Sequence, residues 1–133
     1  MKHEEDDMQT RFFRVIRIAS NRWPRLKFIH AIPNGGKRNP KEAARLKAQG
    51  VTPGVADIFC PMIGYGGQHG LYIEFKAGKN NLSPEQREFR NHVEHEDYSY
   101  KCCYSTEEAV WEVEMYFCIK ILENPRPKEE KAQ

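Results

Sequence analysis

Long apolar runs are what this sequence lacks most plainly. No stretch approaches the ~18 consecutive apolar residues of a membrane span, and the chain starts with acids where a secretory leader would be basic and then apolar. A soluble, intracellular protein with no membrane partner is the expectation. Cysteine is scarce, with four in 133 residues. Cys102 and Cys103 are adjacent, while Cys60 and Cys118 stand alone with no neighbouring His or Cys, so zinc-type spacing is absent and reduced, mostly buried thiols are expected. The five histidines show no metal spacing within any one element; His92 and His95 read as exposed helix positions. An excess of one charge is missing too. A formal net charge of +2 cannot by itself indicate a nucleic-acid binder, so the distribution of charge has to be read instead.

That distribution is uneven. Acids crowd Glu4 to Asp7 and Glu94 to Asp97, whereas Lys37, Arg38, Lys41, Arg45 and Lys47 form a basic block, joined later by Lys76 and Lys79. A charge run taken alone is usually a solvated face. The length suits one domain with a real core and leaves no room for a second catalytic module.

Two apolar runs, Val51 to Cys60 and Leu71 to Lys76, are bounded by Pro, Gly and Gln-His clusters and read as a hairpin. Placing Asp57 opposite Glu74 pairs Ile58 with Ile73, Phe59 with Tyr72 and Cys60 with Leu71, leaving Pro61 to Gly70 as the loop. Directly opposed residues have Cβ atoms about 5 Å apart, and two full charges at that spacing repel by about 3 kcal/mol at an effective dielectric near 20. A divalent cation would offset this repulsion, and Lys76, two residues past Glu74 on the same face, would help. Two hard-oxygen acids and a lysine converging on one sheet face form a metal-dependent phosphodiesterase pattern.

The spacing of Asp57, Glu74 and Lys76 resembles the PD-(D/E)XK nuclease superfamily, and the surrounding residues resemble its virus-type replication-repair nuclease (VRR-NUC) branch. The likeness runs from the first helix to about Phe117. It includes Asn34-Gly35-Gly36 followed by Lys37 and Arg38, then Pro53 to Asp57, Glu74 to Gly78, and Ser83 to Gln86. Pro53 departs from the superfamily pattern in not directly preceding Asp57. The resemblance implies an α/β fold with a mixed central sheet flanked by helices. It also implies Mg²⁺ or Mn²⁺ held by Asp57, Glu74 and the Phe75 carbonyl, and catalysis by Asp57, Glu74 and Lys76. Glu5, four positions before Gln9, matches a helix-one acid of the family; the same residue shares the inward face with Met8 and Phe12, although an acid in a first turn also simply favours the helix dipole. Phage-type single-domain members of the family imply a homodimer acting on branched DNA, as Holliday-junction resolvases do, in the cytoplasm of a bacterial or phage-infected cell.

Along the chain, a helix is predicted over His3 to Arg22, ended by Pro24, and a strand over Leu26 to Ile32. Asn34, Gly35 and Gly36 can offer backbone N–H groups to a phosphate; with Lys37, Arg38, Lys41, Arg45 and Lys79 they are the expected DNA contacts. Asn39 caps a helix from Lys41 to Gln49. Ser83 and Gln86 form a capping box for a helix to about His95. Gln86 therefore reads as a cap with no catalytic part, whereas the family resemblance implies a residue near the active site touching the metal-water shell or Lys76. Tyr98 to Tyr104 reads as a strand, and Ser105 with Glu108 as a second capping box for a helix from Thr106 to Leu122, whose wide apolar face suits the core or a dimer contact. Residues 1–122 are expected to form the nuclease domain and 123–133 a disordered tail. A non-catalytic DNA-structure-binding module, or an inactive nuclease subunit, is the rival reading, sharing the basic block and the glycine loop.

Overall fold

The computed structural model describes residues 2–33 and 39–123. Helix α1 covers Lys2–Ala19, followed by a short 3-10 turn over Pro24–Phe28 and strand β1, His30–Ala31. Then come α2 (Pro40–Ala48), β2 (Ile58–Cys60), β3 (Leu71–Phe75), α3 (Pro84–His95), β4 (Ser99–Cys103) and α4 (Thr106–Phe117). The sheet order is β1-β2-β3-β4. The first two pairings are antiparallel and β3 with β4 is parallel, α3 forming the crossover.

The hairpin has the predicted register, Ile58 with Ile73, Phe59 with Tyr72 and Cys60 with Leu71. Side chains alternate across a strand. Ile58, Cys60, Leu71, Ile73 and Phe75 therefore share one face, where they meet Phe12 and Ile16 of α1 and Ala109, Val110 and Val113 of α4 in the main core. The Phe75 ring meets Phe12 edge-on at 5.9 Å. Within this layer the buried Thr106 hydroxyl donates to the Met8 carbonyl at 2.9 Å, tying α4 to α1. The opposite face carries α3, with Val93, Phe89, Tyr72, Tyr98 and Tyr100 in a second, smaller cluster.

Three sequence expectations change. The strand predicted from Leu26 shrinks to His30–Ala31, because Pro24 opens a 3-10 turn in which the Leu26 N–H donates to the Trp23 carbonyl. Leu26 and Ile29 still reach the core, while Phe28 is left exposed. The last helix stops at Phe117 because Cys118 takes a left-handed conformation (φ 59°), and the Ile121 and Leu122 N–H groups donate to the Glu114 carboxylate instead. At its start Ser105 accepts from the Glu108 N–H, but the Glu108 carboxylate takes the Tyr104 N–H, one residue before the position a reciprocal box would use. The thiols are free; Cys60 and Cys103 are buried, Cys102 is half-buried and Cys118 is exposed.

Candidate metal and phosphodiester site

The site lies on the α3 face, at the end of the sheet where β2 begins and β3 ends. Asp57 sits one residue before β2, held in line because its carbonyl accepts the Ile32 N–H at 2.7 Å. The approach to it is set by Gly54, whose φ of +91° favours glycine. A Cβ there would lie 2.6 Å from the Glu85 carbonyl oxygen, so the glycine lets the segment before Asp57 close against the first turn of α3.

Asp57 Oδ2 accepts the Phe75 N–H at 2.8 Å. In a strand the N–H and C=O of one residue point to the same edge, so the Phe75 carbonyl also turns toward the Asp57 side. Glu74 is 4% exposed. Its Oε2 accepts from Gln86 Nε2 at 3.0 Å, and its Oε1 is buried without a hydrogen-bond partner. Burial, then the neighbouring Asp57 charge, push the Glu74 carboxyl up to about 9, with Lys76 opposing and Glu5 adding to the rise. Asp57 is raised as well, by burial first and by the Glu5 charge, against the Phe75 N–H, the Glu74 carboxyl and Lys76. Burying two acids side by side favours retention of a proton between them.

Gln86 is the expected cap and also reaches the site, through Glu74. Its Oε1 accepts the Ser83 N–H at 2.8 Å while Ser83 Oγ accepts the Gln86 N–H at 3.1 Å. Since Ser83 can only donate from that N–H, the amide oxygen must face it, and the amide NH₂ is left for Glu74. The capping box thus fixes the orientation of a group in the site.

Lys76 is half-buried and anchored by its N–H to the Cys103 carbonyl at 3.0 Å. Glu5 arrives from α1, Oε2 accepting the Ala77 N–H at 3.2 Å, whereas Glu4 is exposed. Tyr100 was not singled out by its sequence context. It is 5% exposed with an unpartnered hydroxyl, raised by burial and then by the nearby Glu74 charge. Of the expected DNA contacts, Lys41 and Lys79 are exposed, and Arg45 is engaged with Glu42 at 2.6 Å on α2, which buries none of its residues. Asn34, Gly35, Gly36, Lys37 and Arg38 lie outside the described residues, as do positions 124–133 of the expected tail.

Among the described residues no three His, Cys, Asp or Glu side chains converge as a ready metal cluster. The donors at hand are two carboxylates and a carbonyl, with Glu5 beside them. That set fits a hard cation of the Mg²⁺ type, which commonly takes one or two carboxylates and keeps several waters, and the orphaned Glu74 Oε1 fits it in particular.

No family model and no curated protein matches the chain. Among solved structures, one described as a "VRR_NUC domain protein" is similar with a TM-score of 0.69 and 25% identity, covering 87% of this chain and 89% of that one. The likeness therefore spans most of the chain.

Proposed function

From the premise that this chain is a VRR-NUC domain, with the mixed α/β architecture of the PD-(D/E)XK type, we propose that it is a divalent-metal-dependent deoxyribonuclease that hydrolyses phosphodiester bonds in branched DNA. One observation carries the reading. Glu74 is buried beside a second acid, with one oxygen given to Gln86 and the other without a donor of its own, an arrangement that destabilises the protein unless a cation, or a proton shared with Asp57, occupies it.

Asp57, Glu74 and the Phe75 carbonyl would hold Mg²⁺ or Mn²⁺, with Glu5 alongside. When bound, such an ion lowers the pKa of water and neutralises charge on a transferring phosphoryl group. The chain's own groups orient that chemistry. The Phe75 N–H fixes one Asp57 oxygen. Gln86 fixes Glu74 in the same manner. Lys76, held by its backbone to β4, places a positive charge where the phosphate becomes more negative. Lys37, Arg38, Lys41 and Lys79 are proposed to neutralise flanking phosphates. A two-fold dimer would set two such sites against strands of opposite polarity, giving paired nicks.

The test is cleavage of labelled duplex, flap, splayed-arm and four-way DNAs in Mn²⁺ or EDTA. Wild type should cut a branched substrate only with the metal, and Asp57→Asn or Glu74→Gln should lower the rate at least about 100-fold with binding kept. Binding without metal-dependent cleavage would leave a DNA-binding module instead.

A further inference from the structure

The basic block that stands out in the sequence is not the only concentration of cations beside the site. A groove of about 770 Å³ runs between α1 and the segment of the 3-10 turn and edge strand β1, with Arg14, Arg17, Lys27 and His30 in its walls and, among the described residues, Asp6 as its one acid. On α1 its residues form one stripe, from Asp6 through Gln9, Thr10 and Phe13 to Arg14 and Arg17, next to the stripe of Met8, Phe12 and Ile16 that enters the core. The groove is therefore built on the buried side's shoulder, not on a loose surface.

Its cations are exposed and, among the described residues, none of the three long ones forms an ion pair. Arg17 lies over the Phe13 ring at 5.2 Å and Lys27 over the Phe28 ring at 5.4 Å, contacts that hold the charged ends without neutralising them. This differs from α2, where Arg45 is already matched by Glu42. The groove's walls are continuous in the chain with segments that carry the site. Asp6, at one end, follows Glu5, which accepts from Ala77 next to Lys76. Ala31, in the opposite wall, pairs with Ile58, the residue after Asp57.

We infer that this groove takes the sugar-phosphate backbone of the nucleic-acid strand continuing away from the scissile phosphate, a role that rests on the nuclease reading above. A helical stripe of eleven residue steps is about 16 Å long, enough to follow more than one phosphate of a single strand. Arg14, Arg17 and Lys27 supply charge, and Gln9 and Thr10 supply neutral donors between the acid end and the basic end. Base identity is not read, since backbone contacts position a strand without specifying its sequence.

The experiment is fluorescence anisotropy with a labelled splayed-arm DNA in EDTA over a series of NaCl concentrations. The proteins compared are wild type, the triple variant Arg14→Ala/Arg17→Ala/Lys27→Ala, and the control Lys101→Ala on β4, the edge of the sheet opposite β1. Should the triple variant melt early, Arg14→Gln/Lys27→Gln replaces it. Each groove cation removed should lower the slope of log affinity against log salt by about 0.7 to 0.9, with the control unchanged. An unaltered slope, or an equal fall in the control, overturns the groove while wild-type cleavage keeps the nuclease reading standing. Wild type that neither binds nor cuts any DNA removes that reading and the groove with it.

Discussion

The two faces of this sheet are made from the same strands and are opposite in physical character. Ile73 and Phe75 point to a dry face, wholly buried against α1 and α4. Glu74, between them, points to a face where buried polar atoms lack partners and carboxyls hold their protons unusually tightly. Packing on the first face supplies the stability that lets the second remain unsatisfied. Alternation along one strand thus separates structure from chemistry by a single residue.

The comparison breaks most readily at adjacent positions. Ile73→Ala should cost about 2–5 kcal/mol of stability in urea unfolding, yet leave metal-dependent cleavage per folded molecule within a few-fold. Glu74→Gln, next to it, should leave unfolding unchanged or harder in EDTA while removing cleavage. If instead both variants lose stability and activity together, the division between faces fails.

A smaller effect sharpens the second face. Gln86→Ala removes the capping-box acceptor and the Glu74 contact together, so it should cost about 1 kcal/mol and also slow cleavage. Gln86→Glu keeps an acceptor for the Ser83 N–H but sets a third carboxyl against Glu74; its stability should lie nearer wild type, with cleavage as poor as in Gln86→Ala. Wild-type cleavage by Gln86→Glu would show that the amide serves only the helix.

How much of this was legible in the sequence depends on how local the signal is. The β2–β3 register follows from two alternating runs flanked by breakers, and the caps of α2 and α3 from Asn39-Pro40 and Ser83-Pro84. Those pieces rest on contacts within a few residues or across one hairpin. The strand predicted from Leu26 failed because Pro24 nucleates a 3-10 turn, and Leu26 and Ile29, three residues apart, share a face of that turn but would point to opposite faces of a strand. The predicted end of α4 was too late because Ile119 and Leu122 continue the apolar pattern after the backbone has turned at Cys118. Gln86 looked like a choice between two roles since a sequence does not show that one amide has two ends in use. The α1 groove was missed altogether: Arg14 and Arg17 are separated from Lys27 along the chain and join only when the 3-10 turn packs beside α1. Their spacing next to the apolar stripe was the available signal.

The central claim, that Asp57 and Glu74 form a cation site, is tested most directly by thermal melting of wild type and Glu74→Gln between pH 5 and 9, in EDTA and in Mn²⁺. Glu74 holds its proton up to about 9 against an ordinary 4.5, and Asp57 shifts in the same direction. The folded state therefore binds more protons than the unfolded one in this window, and its stability must fall as pH rises. In EDTA wild type should melt progressively earlier from pH 5 to 9 while Glu74→Gln shows a much shallower decline, and Mn²⁺ should restore wild type at high pH but leave the variant unmoved. Equal pH slopes in the two proteins, or the same gain from Mn²⁺ in both, would contradict it.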